Sequence, residues 1–183
     1  ARIHRMIGAA SERLMRELIG DVDEDVKAAW RGEYHRMWPE IRPIPGACRL
    51  MRKLHDSGVA VVLASSSEQE DVDASRRALA CDDAIAAATS AADVDEAKPE
   101  PGVFLAACDR VGARPATAIA IGDTLWDVVA ADRAGIGCIA VRSGGVDAHA
   151  LREAGALAVY EDVGELADDL RSSPLTALLT VQA

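Results

Sequence analysis

Apolar and polar positions along this chain follow two different periods, and the period changes where Gly, Pro or Ser interrupts it. Residues 11–19 and 25–38 repeat apolar side chains every three to four positions, which predicts two helices. In the second, Val26, Trp30, Tyr34 and Met37 or Trp38 form one stripe, and Asp23 is placed to cap it. A stripe of that kind normally packs, so Trp30 and Trp38 are expected to be core of a small helical unit rather than ligand contacts. Pro39, Pro43, Pro45 and Gly46 then fall within eight residues and leave no room for regular helix. They mark the expected boundary between a helical segment, residues 1–42, and a larger domain, residues 43–183, and they suit a hinge.

Past that boundary, short apolar runs alternate with helical spacings. A helix over residues 47–57 carries Leu50, Met51 and Leu54 on one face and stops at Gly58. Apolar runs at 59–64, 118–121, 136–141 and 156–160 read as strands, with a weaker one at 84–89. Helices are expected from about 68 to Ala80, from Phe104 onward, and over 126–134, 146–154 and 163–170. No role is assigned to the apolar tail, residues 174–183. Strands alternating with helices in this way predict an α/β fold with a doubly wound, Rossmann-like parallel sheet.

Composition narrows the function classes. Half of the 183 residues are hydrophobic but only six are aromatic (three Trp, two Tyr, one Phe), so the core must be built from Ala, Val, Ile and Leu in close helix-on-sheet layers. A net charge of −10 argues against a nucleic-acid partner, because phosphate backbones are bound by clustered Lys and Arg. A small phosphorylated metabolite needs only one local positive site. Cys48, Cys81, Cys108 and Cys138 form no C-x-x-C pair, which disfavours disulfides, zinc and a thiol nucleophile. No apolar run reaches transmembrane length, and Arg2, Arg5 and Gly8 interrupt any candidate leader, so no membrane partner and a cytoplasmic location are expected.

Three strand ends carry polar groups suited to chemistry. The run Ala118-Ile119-Ala120-Ile121-Gly122-Asp123-Thr124-Leu125-Trp126-Asp127 reads as a buried strand opening into a helix, the edge at which open α/β sheets bind ligands. Two acids there, Asp123 and Asp127, suit a hard cation such as Mg²⁺. The plainer alternative is that Asp123 caps the helix and Asp127 decorates its first turn. Ser65, the first residue past the 59–64 strand, can donate its hydroxyl to a phosphoryl oxygen, as can the N–H groups that follow it; Ser67 reads instead as a helix cap. Lys98 lies in Ala97-Lys98-Pro99-Glu100-Pro101, a turn made extended by proline. Gly144-Gly145, after the 136–141 strand, reads as a turn.

A hydroxyl, an ammonium and a pair of carboxylates in that order, each beside a strand-to-helix junction, resemble the haloacid dehalogenase superfamily of phosphohydrolases. Three of its four ordered motifs are present: Ser65, Lys98 in K-P-x-P, and Asp123 with Asp127 in G-D-[ST]-x-x-D. The resemblance implies Mg²⁺-dependent hydrolysis of a small phosphate monoester, as in phosphoglycolate phosphatase-like members. Ser65, Lys98 and Asp123 would be catalytic, Ser65, Ser66 and Lys98 would bind phosphate, and Asp123 and Asp127 would bind the metal. It also makes residues 1–42 part of a helical cap. A β-phosphoglucomutase-like mutase, a non-catalytic binding module and a 2-haloacid dehalogenase are the alternatives. The last is weakened because Ser66 and Ser67 stand where the family often has Asn.

The family's first motif, an apolar strand ending in D-x-D whose first Asp is the nucleophile, has no counterpart here. Asp21-Val22-Asp23 follows a helical pattern stopped by Gly20 and so reads as a helix start, and Asp93-Val94-Asp95 lies in the turn before Lys98. Residues 1–8 look like the interior of a cap. In the family the missing strand is central in the sheet, so a longer natural polypeptide, or another segment filling the gap, is expected. The 183-residue chain is expected to be inactive by itself. In a complete protein, Lys98→Ala is expected to abolish activity and leave the fold intact.

Overall fold

The computed structural model describes residues 11–94, 96 and 98–179. Two helices come first, α1 (Ser11–Ile19) and α2 (Glu24–Met37). Asp23 caps α2 by accepting hydrogen bonds from the N–H groups of Asp25 (2.9 Å) and Val26 (3.1 Å). The Asp21-Val22-Asp23 triplet is therefore a helix start, as its surroundings imply. Residues 1–8, read above as cap interior, lie outside the described residues.

The stripe on α2 is periodic as expected, but the expectation that it forms core is corrected. None of the helix's residues is buried, and Val26, Trp30 and Met37 are 46%, 49% and 57% exposed. Periodicity identifies the apolar face of a helix; burial also requires an element to cover it. Trp30 instead stacks on Tyr34, their ring centroids 5.5 Å apart. Trp38 begins a short 3-10 turn, Trp38–Glu40, and packs against His35 at 4.2 Å.

The larger part of the chain alternates helix and strand. In order come α3 (Ala47–Asp56), β1 (Val62–Leu63), α4 (Gln69–Leu79), β2 (Ala87–Ala88) and α5 (Gly102–Arg110). There follow β3 (Ile119–Gly122), α6 (Leu125–Arg133), β4 (Gly137–Val141), α7 (Ala148–Glu153), β5 (Ala158–Tyr160), α8 (Val163–Asp168) and α9 (Thr176–Leu179). All strand pairs are parallel. β1 pairs β2 with Leu63 opposite Ala88, and β3, β4 and β5 form a second ladder with Ile121 opposite Ile139 and Ala140 opposite Val159.

Because successive strand side chains face opposite ways, the ladder feeds two apolar layers. Ala120, Cys138 and Ala140 pack with Val103, Phe104 and Cys108 of α5, Val128, Ala130 and Ala131 of α6, and Leu151 of α7. Ile119, Ile121 and Ile139 pack on the opposite side, with Leu50 and Leu54 of α3, Leu166 of α8, and Leu170 and Leu175. Helices on both faces make the sheet doubly wound, as the alternation predicts. The cysteines are free. Burial is the main cause that pushes the thiols of Cys81 and Cys138 up to about 12, so these two behave as small hydrophobes.

A cavity of about 1060 Å³ opens where the two ladders fail to meet. Every residue from 58 to 65 lines it, and so does every residue from 116 to 121. A strand showing a face lines a cavity with alternate residues, whereas one showing an edge lines it with consecutive ones. The backbone edges of β1 and β3 that take no part in the two ladders thus border the cavity. β1 is shorter than the apolar run 59–64 because its ladder with β2 registers only Val62 and Leu63.

The tail has a structural role that its sequence did not reveal. Leu175 is 1% exposed, and Leu178 and Leu179 of α9 join it against the α3 and α8 layer. Residues 180–183 lie outside the described residues. Leu175→Ala is expected to destabilise the protein by about 2–5 kcal/mol in urea unfolding, the usual range for a buried leucine. A loss below about 1 kcal/mol would mean that the tail does not complete the core.

Candidate active site

The turn from β3 into α6 is fixed by a reciprocal cap. Thr124 caps the helix, its Oγ1 accepting from the Asp127 N–H at 3.2 Å. Asp127 returns the bond: its Oδ2 accepts from the Thr124 hydroxyl (2.6 Å), the Thr124 N–H (3.0 Å) and the Asp123 N–H (3.2 Å). The other oxygen, Oδ1, accepts from Lys98 Nζ at 2.7 Å. Both carboxylate oxygens are therefore engaged, in a side chain whose residue is only 6% exposed. Burial by itself would raise the Asp127 pKa, but the Lys98 charge and the bonds from Lys98 and Thr124 outweigh it and hold the carboxyl below its ordinary range. The glycine of the motif is dictated by this packing: a Cβ on Gly122 would sit 2.3 Å from the Asp127 Cβ.

The Asp123 side chain takes no part in the cap, whose N-cap residue is Thr124, so the plainer alternative for it is set aside by the geometry. The Ser143 hydroxyl lies 3.5 Å from its Oδ2. The loop carrying that serine presses so close that a Cβ on Gly144 would lie 2.4 Å from the Asp123 carbonyl oxygen. The Gly144-Gly145 pair is a turn, as read from sequence, and the turn also walls in Asp123. Partial burial, followed by the neighbouring Asp127 charge, raises the Asp123 pKa; Lys98 offsets only part of this. One acid of the pair is neutralised and the other is short of positive charge.

Lys98 reaches Asp127 across 29 residues of sequence because its turn is anchored at both ends. Arg133 of α6 donates to the Pro99 carbonyl (3.2 Å) and the Glu100 carboxylate (2.6 Å), and the Lys98 ammonium lies 5.6 Å from the centre of the Phe104 ring at the start of α5. Asp93 pairs with Arg110 and completes a capping box with Ser90. It is therefore a structural acid, while Asp95 lies outside the described residues.

At the end of β1, Ser65 Oγ accepts from the Ser67 N–H at 3.1 Å, which leaves its own proton available to a ligand. Ser66 makes no hydrogen bond among the described residues. The expectation that Ser67 caps α4 is corrected: Glu68 occupies the cap position, without a side-chain bond, and the Ser67 carbonyl instead accepts from the Ala91 N–H at 2.8 Å. Strand pairing explains the change, since β2 runs alongside and its continuation draws in the backbone of Ser67.

Ser65, Lys98 and Asp127 line the same cavity. Asp123 adjoins it through its bond to Asp127, and Ser66 follows Ser65 without lining it. Sequence reading missed Thr124, Ser143 and Thr89, which holds the backbone of Ser65. Thr124 had a signal, the T-x-x-D spacing of a capping box; the other two are brought in by neighbouring strands. No cluster of three or more His, Cys, Asp or Glu suited to a metal occurs among the described residues. Asp123 nonetheless offers a hard, charge-deficient carboxylate. That fits an ion such as Mg²⁺, which is commonly held by one or two carboxylates with water and phosphate oxygens completing its shell.

The family model for haloacid dehalogenase-like hydrolases matches residues 1–141. This chain belongs to that family. Among its relatives is the putative phosphatase YhcW of Bacillus subtilis, 33% identical over 118 residues, which are 64% of this chain and 54% of that protein. Phosphoglycolate phosphatase of Rhodospirillum rubrum is 25% identical over 92% of this chain and 75% of its own length. A hydrolase of Pseudomonas syringae with a solved structure is 32% identical, with a TM-score of 0.85 over 93% of this chain and 81% of that one. The chain thus spans about half the length of the Bacillus relative. Its Rossmann-like core is that of the haloacid dehalogenase-like fold, and no described helix is long and apolar enough to cross a membrane.

The expectation that Lys98 can be removed without touching the fold is amended by the Asp127 pair. Lys98→Ala strands a buried carboxylate, and about 3–5 kcal/mol of destabilisation is expected, largely recovered on adding Asp127→Asn. Equal stability of Lys98→Ala and the parent in urea would rule out the pair. Asp123 works in the opposite sense. A raised native pKa means that the folded state binds more protons, so its contribution to stability falls as pH rises from the unfolded to the native pKa. Asp123→Asn is therefore expected to raise Tm above that window and to remove any Mg²⁺-induced rise in Tm; a lowered Tm at neutral pH would contradict this.

Proposed function

We propose that this chain carries most of the phosphate and metal site of a Mg²⁺-dependent phosphatase acting on a small phosphate monoester. The observation that carries this reading is the Lys98–Asp127 pair in a cavity shared with Ser65. Ser65 and the Ser66 N–H donate to phosphoryl oxygens, and Lys98, held in place by Asp127, neutralises charge on the transferring group. Asp123 holds Mg²⁺, which would supply electrostatic stabilisation of the phosphoryl charge. With both oxygens of Asp127 engaged, this acid serves the ion indirectly, through Lys98 and the Asp123 N–H.

The nucleophile belongs in the cavity between β1 and β3. A parallel apolar strand seated there would pair both edges that have no ladder among the described residues and bring its C-terminal end to the rim where Ser65, Lys98 and Asp123 stand. The first Asp of a D-x-D at that end would attack phosphorus in line as the ester P–O bond breaks, the second Asp giving its proton to the leaving oxygen; that same Asp would then take a proton from the water that cleaves the aspartyl-phosphate to free phosphate. Residues 1–42 act as part of a cap, supported by two contacts of α2 with the α4 end of the site: Arg31 with Glu68 at 3.6 Å and His35 with Asp71 at 3.7 Å. Tyr34, from the same helix, lines the cavity with Ser65.

The 183-residue chain alone is expected to leave p-nitrophenyl phosphate intact with or without Mg²⁺. Supplying an apolar strand ending in D-x-D, as a peptide or fused ahead of Ala1, is expected to give Mg²⁺-dependent turnover that Lys98→Ala abolishes. Turnover that survives Lys98→Ala would refute the assignment, and isomerisation of a phosphorylated sugar in place of hydrolysis would favour a mutase.

A further inference from the structure

β1 ends two residues before Ser65, the group that matters most at its tip. The ladder with β2 closes at Leu63 opposite Ala88, with the Thr89 N–H donating to the Leu63 carbonyl at 2.9 Å, and the next backbone bond between the two segments comes only at Ser67, whose carbonyl accepts from the Ala91 N–H. Ser65 lies beyond the Leu63 rung, where a strand end would ordinarily fray. Here the Thr89 side chain replaces the missing rung. Its Oγ1 accepts from the Ser65 N–H at 3.0 Å and donates to the Ser65 carbonyl at 2.9 Å. One hydroxyl thus satisfies both backbone groups of a single residue, as a partner strand would with two.

Thr89 is 1% exposed, and its only proton is committed to the Ser65 carbonyl. It is therefore placed to act on a ligand through Ser65 and not directly. With the Ser65 backbone fixed on one side and Ser65 Oγ held by the Ser67 N–H on the other, the remaining freedom of the serine is the direction of its hydroxyl proton.

We infer that Thr89 is the positioning residue that holds Ser65 and the Ser66 N–H in register to receive a phosphoryl oxygen. The inference rests on the phosphate-binding reading of Ser65. It requires the hydroxyl and not merely the bulk of the side chain. Thr89→Val keeps the shape and removes both bonds, Thr89→Ala removes them with less bulk, and Thr89→Ser keeps them.

The test uses the whole chain with inorganic phosphate as the probe, following the Ser65 and Ser66 amide signals by NMR together with amide hydrogen exchange. Parent and Thr89→Ser are expected to bind phosphate alike and to protect the Ser65 N–H. Thr89→Val and Thr89→Ala are expected to bind roughly tenfold more weakly and to exchange that proton faster. If Thr89→Val does not fold, Thr89→Ala decides. Unchanged Ser65 exchange in the hydroxyl-free variants overturns the anchoring whether or not phosphate binds, and so does a Thr89→Ser variant that behaves like Thr89→Val. A parent chain that protects Ser65 yet does not perturb its amides with phosphate overturns the phosphate reading of Ser65, and the role given to Thr89 falls with it.

Discussion

The arrangement of the site depends on one buried carboxylate. Asp127 gathers the Lys98 ammonium, the Thr124 hydroxyl and two backbone N–H groups onto two oxygens. These bonds tie down three different pieces of chain: the turn before α5, the cap of α6 and the backbone of Asp123. A charge this deeply buried is tolerable only because it is fully paired, which makes the assembly cooperative. Loss of one donor leaves the others around an expensive group, so the stability of the β3–α6 junction and the position of the ammonium are properties of the same cluster.

The neighbouring Asp123 shows the complementary case. Partial burial and the nearby Asp127 charge disfavour a second negative charge, and Lys98 and the Ser143 hydroxyl offset only part of this. The two acids of one short motif thus sit in opposite electrostatic surroundings, Asp127 paired with Lys98 and Asp123 not.

Much of the fold was legible because its signals are local. Residues 118–121 read as a buried strand since a strand covered on both faces is nearly continuous in apolar residues, and Gly20, Gly58 and Gly135 marked helix ends by the usual punctuation. Ser65, Lys98 and the two acids were singled out as candidates through spacing and order. The bond between Lys98 and Asp127 was not, because a contact across 29 residues leaves no trace in a pattern of three or four. Thr89 was missed for a similar reason: its partner lies on the adjacent strand. The stripe on α2 and the tail misled in opposite directions, the first periodic yet exposed, the second unpatterned yet buried at Leu175. In both, what decides burial is the covering element, which sequence period does not report.

The two strand edges that border the cavity carry a further implication for the chain in solution. Edges without a ladder are templates for β-pairing, and nothing in an N–H or a carbonyl distinguishes an intended strand from one lent by another molecule. A net charge of −10 opposes the approach of a second copy, and mobile ions attenuate that repulsion. Colloidal behaviour and sheet completion are therefore linked: adding electrolyte weakens that repulsion while leaving the appetite of the open edges for a partner unchanged.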